Sequence, residues 1–309
     1  MNIPLLTCLP SAGLFGDLEV EPEEARSILR PQRHEEYGFG FALSPYRGCA
    51  HGCAYCYVRE YPNALHGPQE WGRWSAPKLN APELLWAQRH KLHEQCVFLS
   101  TATDPYQPIE REFRLTRACL EVLLACPSTR VMVHTRSPLV LQDLELLRAF
   151  GSRLQVGFSI PTDDDTVRQV VEPKAPPIPS RWAAVERLSR AGIAVGVAVT
   201  PLLPMADPAA FAKRARESGI SSLWVGMLRL LKDDPFYDVL ARNHWLQALD
   251  PDYAEQIREV LGEALSKAER PRKKERTATT KPGRMPSPRK RLVQPIQPNL
   301  FEDHQYSST

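Results

Sequence analysis

Short apolar runs that alternate with helical patterns limit most strongly how this chain can fold. Five runs are typical of buried strands: Cys96–Ser100, Arg130–His134, Leu154–Ile160, Ile193–Thr200 and Ser222–Met227. Helical patterns lie between them, over Thr116–Ala125, Ser137–Phe150, Ile178–Ala191 and Asp207–Ser218. Strands that alternate with helices of about 10–15 residues indicate βαβ units and a parallel sheet.

A sixth strand is predicted before this series, over 37–44, where apolar and small residues alternate. The six β/α units are too few for a closed eight-fold barrel, so we expect an α/β fold with an open, partial (β/α)6 barrel. Functional side chains of such a barrel lie at the C-terminal ends of its strands. Asn80 is a predicted helix N-cap. Asp234–Leu249 and Pro251–Lys267 are predicted to be closing helices, the second capped by Asp250.

Composition divides the chain into four predicted parts. These are an N-terminal extension (1–36), the partial barrel (37–235), C-terminal helices (236–266) and a tail (267–309). The tail holds 11 Lys and Arg against 4 Asp and Glu, a net charge of +7, whereas residues 1–266 carry −4. Because the tail is polar and Pro-rich, it cannot bury enough apolar surface to order itself, and we expect it to be disordered.

The location of the protein is predicted from its apolar runs and its cysteines. No apolar run reaches the roughly 18 residues that a membrane helix needs, and the N-terminus has no signal-peptide pattern. We therefore expect a cytoplasmic protein with no membrane contact. There are seven cysteines, of which three lie within eight residues, a pattern that indicates metal binding or redox chemistry rather than disulfides.

The three clustered cysteines are Cys49, Cys53 and Cys56, with the spacing Cys-x3-Cys-x2-Cys. Three thiolates on one short loop can bind three irons of a cubane cluster and leave the fourth iron without a protein ligand. An open metal position of this kind is where a substrate or cofactor binds. Gly48 and Gly52 allow the loop to wrap tightly.

This motif, placed just after a first strand and before a β/α series, resembles that of the radical S-adenosylmethionine (SAM) superfamily. The resemblance implies a [4Fe–4S] cluster whose open iron binds the amino and carboxylate groups of SAM. One electron, from an electron donor that is then a required partner, cleaves the sulfonium and yields a 5′-deoxyadenosyl radical that abstracts hydrogen. It also places Tyr55, the aromatic residue before the third cysteine, near the adenine.

Further stretches resemble the spore-photoproduct-lyase-like branch of that superfamily, which is also called DNA repair photolyase-like. They are Tyr46–Cys49 with Cys56–Arg59, Ser100–Glu110, Thr135–Ser137, Glu172–Pro176 with Arg181, and Thr200–Pro204. The similarity covers about residues 37–230. It implies a radical SAM barrel and a lyase-like reaction on nucleic acid, with damaged DNA as the expected substrate.

Four polar residues follow or end the predicted strands and are the expected cofactor-binding residues besides Tyr55. They are Asp104, Arg136, Ser159 and Thr200. Arg136 matches the geometry of the SAM carboxylate, and Ser159 and Asp104 are suited to bonding its ribose or amino group. The alternative is that all four are strand-end caps.

One departure from the branch concerns the cysteine that returns a hydrogen atom to the product radical in spore photoproduct lyase. After the second strand this chain has Ser100–Thr103, without a cysteine. Cys96 starts the predicted strand and therefore lies at the opposite end of the barrel, where a small buried apolar role is expected. Glu172 and Arg181 are alternatively a structural ion pair beside the Pro-rich loop.

Two other functions compete with a radical SAM enzyme that acts on nucleic acid. One is radical modification of a peptide or a small molecule. The other is a non-catalytic nucleic-acid-binding protein stabilised by zinc, which the three cysteines would bind with His51 or His66. Iron content separates the zinc protein from both enzymes.

The tail predicts two kinds of partner. Its basic runs, Arg270–Lys274 and Arg289–Arg291, are expected to bind DNA phosphates in a salt-dependent way. Gln297–Phe301 resembles the short peptide by which bacterial replication and repair proteins dock on the sliding clamp, with Leu300 and Phe301 as apolar anchors. A solvated, solubilising tail is the alternative.

Overall fold

The computed structural model of the protein describes residues 13–32, 39–60, 66–99 and 101–266. Its strands are β1 (Gly13–Phe15), β2 (Leu18–Val20), β3 (Leu29–Pro31), β4 (Phe41–Leu43), β5 (Tyr46–Arg47), β6 (Trp74–Pro77), β7 (Cys96–Leu99), β8 (Arg130–Thr135), β9 (Leu154–Ser159), β10 (Ala194–Val199) and β11 (Ser222–Val225). Its helices are α1 (Ala81–Ala87), α2 (Glu110–Phe113), α3 (Leu115–Leu124), α4 (Leu144–Ala149), α5 (Asp165–Val171), α6 (Ile178–Arg190), α7 (Pro208–Glu217), α8 (Phe236–Arg242) and α9 (Pro251–Ser266). The basic tail and Gln297–Phe301 lie outside the described residues.

The main sheet has the strand order β11-β10-β9-β8-β7-β4-β3 across the described ranges. Strands β4 and β7 to β11 are parallel, and each lies beside the next member of the series. Strand β3 pairs antiparallel with β4 at the edge, so the sheet does not close. The predicted α/β fold with a partial (β/α)6 barrel is therefore confirmed, including all six parallel strands.

The two faces of the parallel sheet differ in what they bury. Alternate residues such as Val97, Val133, Val156 and Val197 are fully buried in the main core against the helices. The residues between them line the inner face of the barrel, where several side chains keep part of their surface exposed. A period of two along each strand produces this division, because successive side chains point to opposite faces.

A smaller sheet contains the two strands that precede and follow the cysteine loop, with the order β1-β2-β6-β5. Strands β2 and β6 are parallel, whereas β1 with β2 and β5 with β6 are antiparallel. No pattern in the sequence predicted this sheet. Residues 13–31 fall in the predicted extension, yet they supply strands to both sheets, including β3 beside β4.

Two predicted helices are each divided in the structure. Over 137–150 the chain forms a 3-10 turn at Pro138–Asp143 and then α4, and the buried Asp143 carboxylate accepts hydrogen bonds from Arg114 and Arg117. Over 234–249 helix α8 ends before His244, whose φ of 59° is left-handed and cannot continue a helix. The single helices predicted for both ranges are therefore wrong.

Helices near the C-terminal end of the described chain close the fold. Helix α9 begins after Asp250, whose carboxylate accepts from the Asp252 amide at 2.9 Å, so the predicted N-cap is confirmed. Its buried residues Ala254, Ile257 and Leu261 face the main core. A search of the described helices finds none whose length and apolar character would let it cross a membrane.

Asn80 occupies the predicted N-cap position of α1, but its side chain serves another contact. The Asn80 amide accepts from the Ala25 N–H and donates to the Ala25 carbonyl, both at 2.9 Å. No side-chain hydrogen bond caps α1. Asn80 instead ties the segment after β2 to the start of α1.

We expect Asn80→Asp to lower the free energy of unfolding by about 1–2 kcal/mol. Aspartate is as good an N-cap as asparagine, but it cannot donate to the Ala25 carbonyl. Urea unfolding under anaerobic conditions measures the change, with Asp207→Asn at the N-cap of α7 as a near-neutral control, since the Ala210 amide bonds Asp207 at 2.8 Å. An unchanged urea midpoint for Asn80→Asp would contradict the tether.

Candidate active site

The cysteine loop lies between β5 and β6, and its turns bring the three thiols inward. The Gly52 amide donates to the Cys49 carbonyl at 3.3 Å, and the Cys56 amide donates to the Cys53 carbonyl at 3.1 Å. Cys49 and Cys53 are buried, and Cys56 is half-buried. Gly52 has a φ of 58°, and a Cβ there would lie 3.0 Å from the Gly72 Cα, so the predicted need for glycine is confirmed.

A buried glutamine holds this loop against the segment that follows β7. Gln107 is fully buried, accepts from the Ala50 amide at 2.9 Å and donates to the Gly48 carbonyl at 3.3 Å. On the other side of the loop, the Ala54 amide donates to the Val171 carbonyl of α5 at 2.9 Å. Gln107 lies in the stretch Ser100–Glu110 that carries the family resemblance, but no role was predicted for this residue.

Burial raises the pKa of each of the three thiols to about 12. Thiolates are the forms that bind metal, so a metal that binds here must displace the protons. The donor set of three soft sulfurs suits an iron–sulfur cluster. Among the described residues, the groups of three ligand atoms within 4.8 Å of one another do not include this set. A single tetrahedral zinc would hold its sulfurs about 4 Å apart.

The two histidines considered as further zinc ligands have other neighbours. His51 is buried in the loop, and its Nε2 lies 3.5 Å from Asp104 Oδ2 without the alignment of a hydrogen bond. His66 Nε2 lies 2.5 Å from Glu21 Oε1, and its ring packs edge-on against Trp74. The described geometry therefore favours the cluster over the zinc site.

Arg136 directly links the end of β8 to the cysteine loop. Its Nη1 donates to Cys53 Sγ at 2.9 Å and to the Tyr55 hydroxyl at 2.8 Å, and it pairs with the Glu172 carboxylate. The Tyr55 hydroxyl in turn donates to Glu172. Two expected site residues, Arg136 and Tyr55, are thus brought together beside a cysteine of the motif.

Glu172 lies at the end of α5 and is fully buried. Its second carboxylate oxygen pairs with Arg181, which is also fully buried, so the predicted structural ion pair is confirmed. Burial alone would raise the pKa of Glu172, but the charges of Arg136 and Arg181 lower it below its usual value. The carboxylate therefore stays ionised and holds both guanidinium groups in place.

Asp104 connects the ends of β7 and β8. It accepts from the Thr135 hydroxyl at 2.6 Å, from the Tyr106 amide at 2.9 Å and from the Arg136 amide at 2.9 Å. Burial would raise the pKa of Asp104, but His51 and Arg136 hold it well below its usual range. Three protein donors already bond this carboxylate, which is the pattern of a strand-end cap.

Ser159 and Thr200 lie at the carboxyl ends of neighbouring strands, as Asp104 and Arg136 do. Ser159 ends β9 and is buried, and its carbonyl accepts from Arg181 Nη1 at 3.2 Å. Thr200 follows β10 and precedes a cis peptide bond to Pro201. A Cβ on Gly226 would lie 2.9 Å from the Thr200 side chain, so Thr200 faces the end of β11.

Cys96 is the first residue of β7, at the opposite end from these groups. It pairs with Arg130 and is half-buried, so it is less enclosed than expected. Its place at the start of the strand agrees with the prediction. Among the described residues after β7, Thr101 to Asp104 contain no cysteine.

A protein-family model matches the part of the sequence that forms this site. The family model of the radical SAM superfamily matches residues 43–217, which is more than half of the chain. This chain belongs to the radical SAM superfamily. That family uses a [4Fe–4S] cluster together with SAM, as the cysteine motif predicts.

Curated relatives and a solved structure also resemble this chain. The chain is 30% identical over 187 residues to an uncharacterised protein of Methanocaldococcus jannaschii, covering 60% of this chain and 69% of that protein. It is 30% identical over 176 residues to an uncharacterised protein of Mycobacterium tuberculosis, covering 54% of this chain and half of that protein. The structure of spore photoproduct lyase complexed with a dinucleoside spore photoproduct matches with a TM-score of 0.60 and 16% identity, over 80% of this chain and 79% of that one. This likeness shows the fold that the resemblance predicted.

We expect replacement of Cys49, Cys53 and Cys56 together by Ala to abolish iron binding. The unchanged protein should take up about four irons and four sulfides per chain on anaerobic reconstitution. Iron and sulfide analysis, with the brown colour of the cluster, measures the result. Cys119→Ala is the matched control, because Cys119 is buried on α3 outside the loop and should leave iron content unchanged.

Proposed function

We propose that this protein holds a [4Fe–4S] cluster on Cys49, Cys53 and Cys56 and uses it with SAM to start hydrogen abstraction from a nucleic acid. The observation that carries the proposal is the position of the cysteine loop at the carboxyl ends of the parallel strands, where Arg136 contacts Cys53 at 2.9 Å. Catalytic groups of parallel barrels act from this end. When bound, SAM and the reduced cluster supply the carbon radical that removes hydrogen.

The nucleic-acid substrate has separate support. The spore photoproduct lyase whose fold this chain shares was solved with a dinucleoside spore photoproduct bound. The tail adds a net charge of +7 that is suited to phosphates. A lyase-like repair reaction on damaged DNA is therefore the proposed activity, with an electron donor as a required partner.

The residues at the strand ends have proposed roles that follow from their contacts. Arg136 keeps 17% of its side chain exposed while it bonds Cys53, so it is placed to orient that sulfur and to share its charge with the SAM carboxylate. Tyr55, beside Arg136, is the proposed neighbour of the adenine. Ser159 and Thr200 are proposed to line the cofactor, and Asp104 to position Arg136 through its backbone amide.

Anaerobic incubation with SAM, dithionite and ultraviolet-irradiated DNA tests this function. We expect 5′-deoxyadenosine and methionine, and conversion of a photoproduct in the digested DNA to undamaged nucleosides, by liquid chromatography and mass spectrometry. Arg136→Ala should weaken SAM binding more than it lowers the iron content. Cys96→Ala should keep both activities, since Cys96 lies at the far end of the strand.

The result separates the competing functions. SAM cleavage with an unchanged photoproduct content of the DNA would point to a peptide or small-molecule substrate. Binding of one zinc and no iron would refute the enzyme altogether. Loss of clean product in Cys96→Ala, with 5′-deoxyadenosine still formed, would make Cys96 the residue that returns hydrogen.

We further propose that residues 267–309 deliver the enzyme to DNA. The basic runs Arg270–Lys274 and Arg289–Arg291 suit phosphate binding through counterion release. Gln297–Phe301 is the proposed docking peptide for a sliding clamp. Such a short peptide orders on binding, so its affinity should be modest.

Deletion of 267–309 should weaken binding to undamaged duplex DNA and reduce its salt dependence, while SAM cleavage stays intact. Fluorescence anisotropy at several salt concentrations measures both effects. The 292–309 peptide should bind a bacterial clamp, and Leu300→Ala with Phe301→Ala should abolish that binding. Clamp binding that is indifferent to the double change would leave only the electrostatic part, and unchanged DNA affinity after the deletion would remove that part too.

A further inference from the structure

The inner face of the barrel carries an arrangement that the cofactor site does not use. Inward positions, identified by alternation along paired strands, are Phe98, Met132, His134, Gln155, Gly157, Ser159, Gly196, Ala198, Ser222 and Trp224. With a neutral imidazole, these side chains carry no formal charge, and the same alternation places the exposed Arg130 at the N-terminal start of the face. Phe98, His134 and Trp224 are only half-buried, whereas their outward neighbours Val97, Val133 and Val197 are almost completely buried.

Aromatic rings follow one another across this face. The Phe39 and Phe98 ring centroids lie 4.9 Å apart, and those of Phe98 and His134 lie 5.9 Å apart. Trp224 lies on β11, at the far edge of the same sheet. We name Phe39, Phe98, His134 and Trp224 the aromatic arc.

Two glycines, Gly157 and Gly196, let the rings lie directly on the strand backbone. A Cβ on Gly196 would lie 2.4 Å from the Trp224 ring, so the indole rests on the backbone of β10. A Cβ on Gly157 would meet the His134 ring at 3.5 Å and the Trp224 ring at 3.7 Å. His134 and Trp224 therefore approach each other above Gly157, where larger side chains on β9 and β10 would push them apart.

One buried polar atom within the arc has no partner in the part of the chain that the structure describes. His134 Nε2 is buried and makes no hydrogen bond there. A buried polar nitrogen without a hydrogen bond is costly, and a ligand group that bonds it would remove that cost. Burial, with the charge of Arg136, lowers the pKa of His134 to about 4, so the ring is neutral at pH 7 and has one donor and one acceptor nitrogen.

We propose that the aromatic arc binds the planar, uncharged base of a nucleotide substrate, which stacks on Trp224 and hydrogen bonds to His134. This inference rests on the proposed function and names the part of the substrate that enters the barrel. Stacking on aromatic side chains tolerates different bases, because every base has a π-face. The neutral imidazole matches the donor and acceptor groups of a base edge, whereas the rings and glycines around it offer no partner to an ionised group.

A comparison of two probes isolates base binding from phosphate binding by the tail. The probes are fluorescein-labelled eight-residue oligothymidylate and an abasic oligonucleotide of equal length and charge. Reconstituted enzyme with SAM, kept anaerobic, is titrated with each probe, and anisotropy gives the ratio of the two Kd values. We expect oligothymidylate to bind about tenfold more tightly, which is the typical effect of one base stacked on an aromatic residue.

Variants of the aromatic arc test whether its side chains cause the difference between the two Kd values. Trp224→Leu and His134→Leu should bring the ratio close to one, and Trp224→Phe should leave an intermediate value. Trp86→Leu is the matched control, since Trp86 lies on α1 under the Arg89 guanidinium and away from the inner face. If Trp224→Leu loses its iron, Trp224→Phe and His134→Gln decide the assignment.

The outcomes separate this inference from the proposed function. A ratio near one in the unchanged enzyme, or a full ratio in the Trp224 and His134 variants, would overturn base binding in the arc. Displacement of oligothymidylate by an aromatic peptide at equal concentration would also overturn it, in favour of a peptide substrate. Formation of 5′-deoxyadenosine without substrate is measured in parallel, and its absence would refute the proposed function itself.

Discussion

The buried carboxylate of Glu172 is the contact on which the arrangement of the site depends. It pairs with Arg136 from the end of β8 and Arg181 from α6, and it accepts from Tyr55 of the cysteine loop. One anion thus joins three separate parts of the chain. Removing one partner of a buried ion pair costs about 3–5 kcal/mol, because the other charge is left without compensation. The loop and the strand ends are therefore held as one unit.

This unit also relates the cofactor end of the barrel to its interior. Arg136, just after β8, contacts Cys53, and His134 of β8, two residues earlier, faces the inner surface. The outward valines of β8, Val131 and Val133, pack in the main core and hold the strand in place. A radical formed at the cysteine loop would thus arise at the mouth of a surface lined by rings and glycines.

The sequence was sufficient for the parallel strands and for the cysteine motif, for different physical reasons. Strands such as β8 and β10 are buried on their outer face, so their valines form apolar runs that are visible without tertiary information. The cysteine spacing is short and local, and its glycines have positive φ as expected. The strand-end placement of Arg136 followed from the parallel order alone.

Other features depend on contacts between distant residues, which no local pattern reveals. The short strands β1, β2 and β5 have two or three residues each, too few for a periodic signal. Asn80 lies at the N-cap position that its sequence context predicts, but its side-chain amide bonds Ala25, 55 positions earlier. Glu172 was predicted only as a partner of Arg181. Its bond to Arg136 joins residues 36 positions apart, and its link to Tyr55 spans 117.

The central claim is that SAM binds an open iron of a cluster held by Cys49, Cys53 and Cys56. Electron paramagnetic resonance of the anaerobically reconstituted and reduced protein, recorded before and after SAM is added, tests it most directly. The account predicts the signal of a reduced [4Fe–4S] cluster whose g values change when SAM binds. A protein that lacks this signal, or a signal that SAM leaves unchanged, would contradict it.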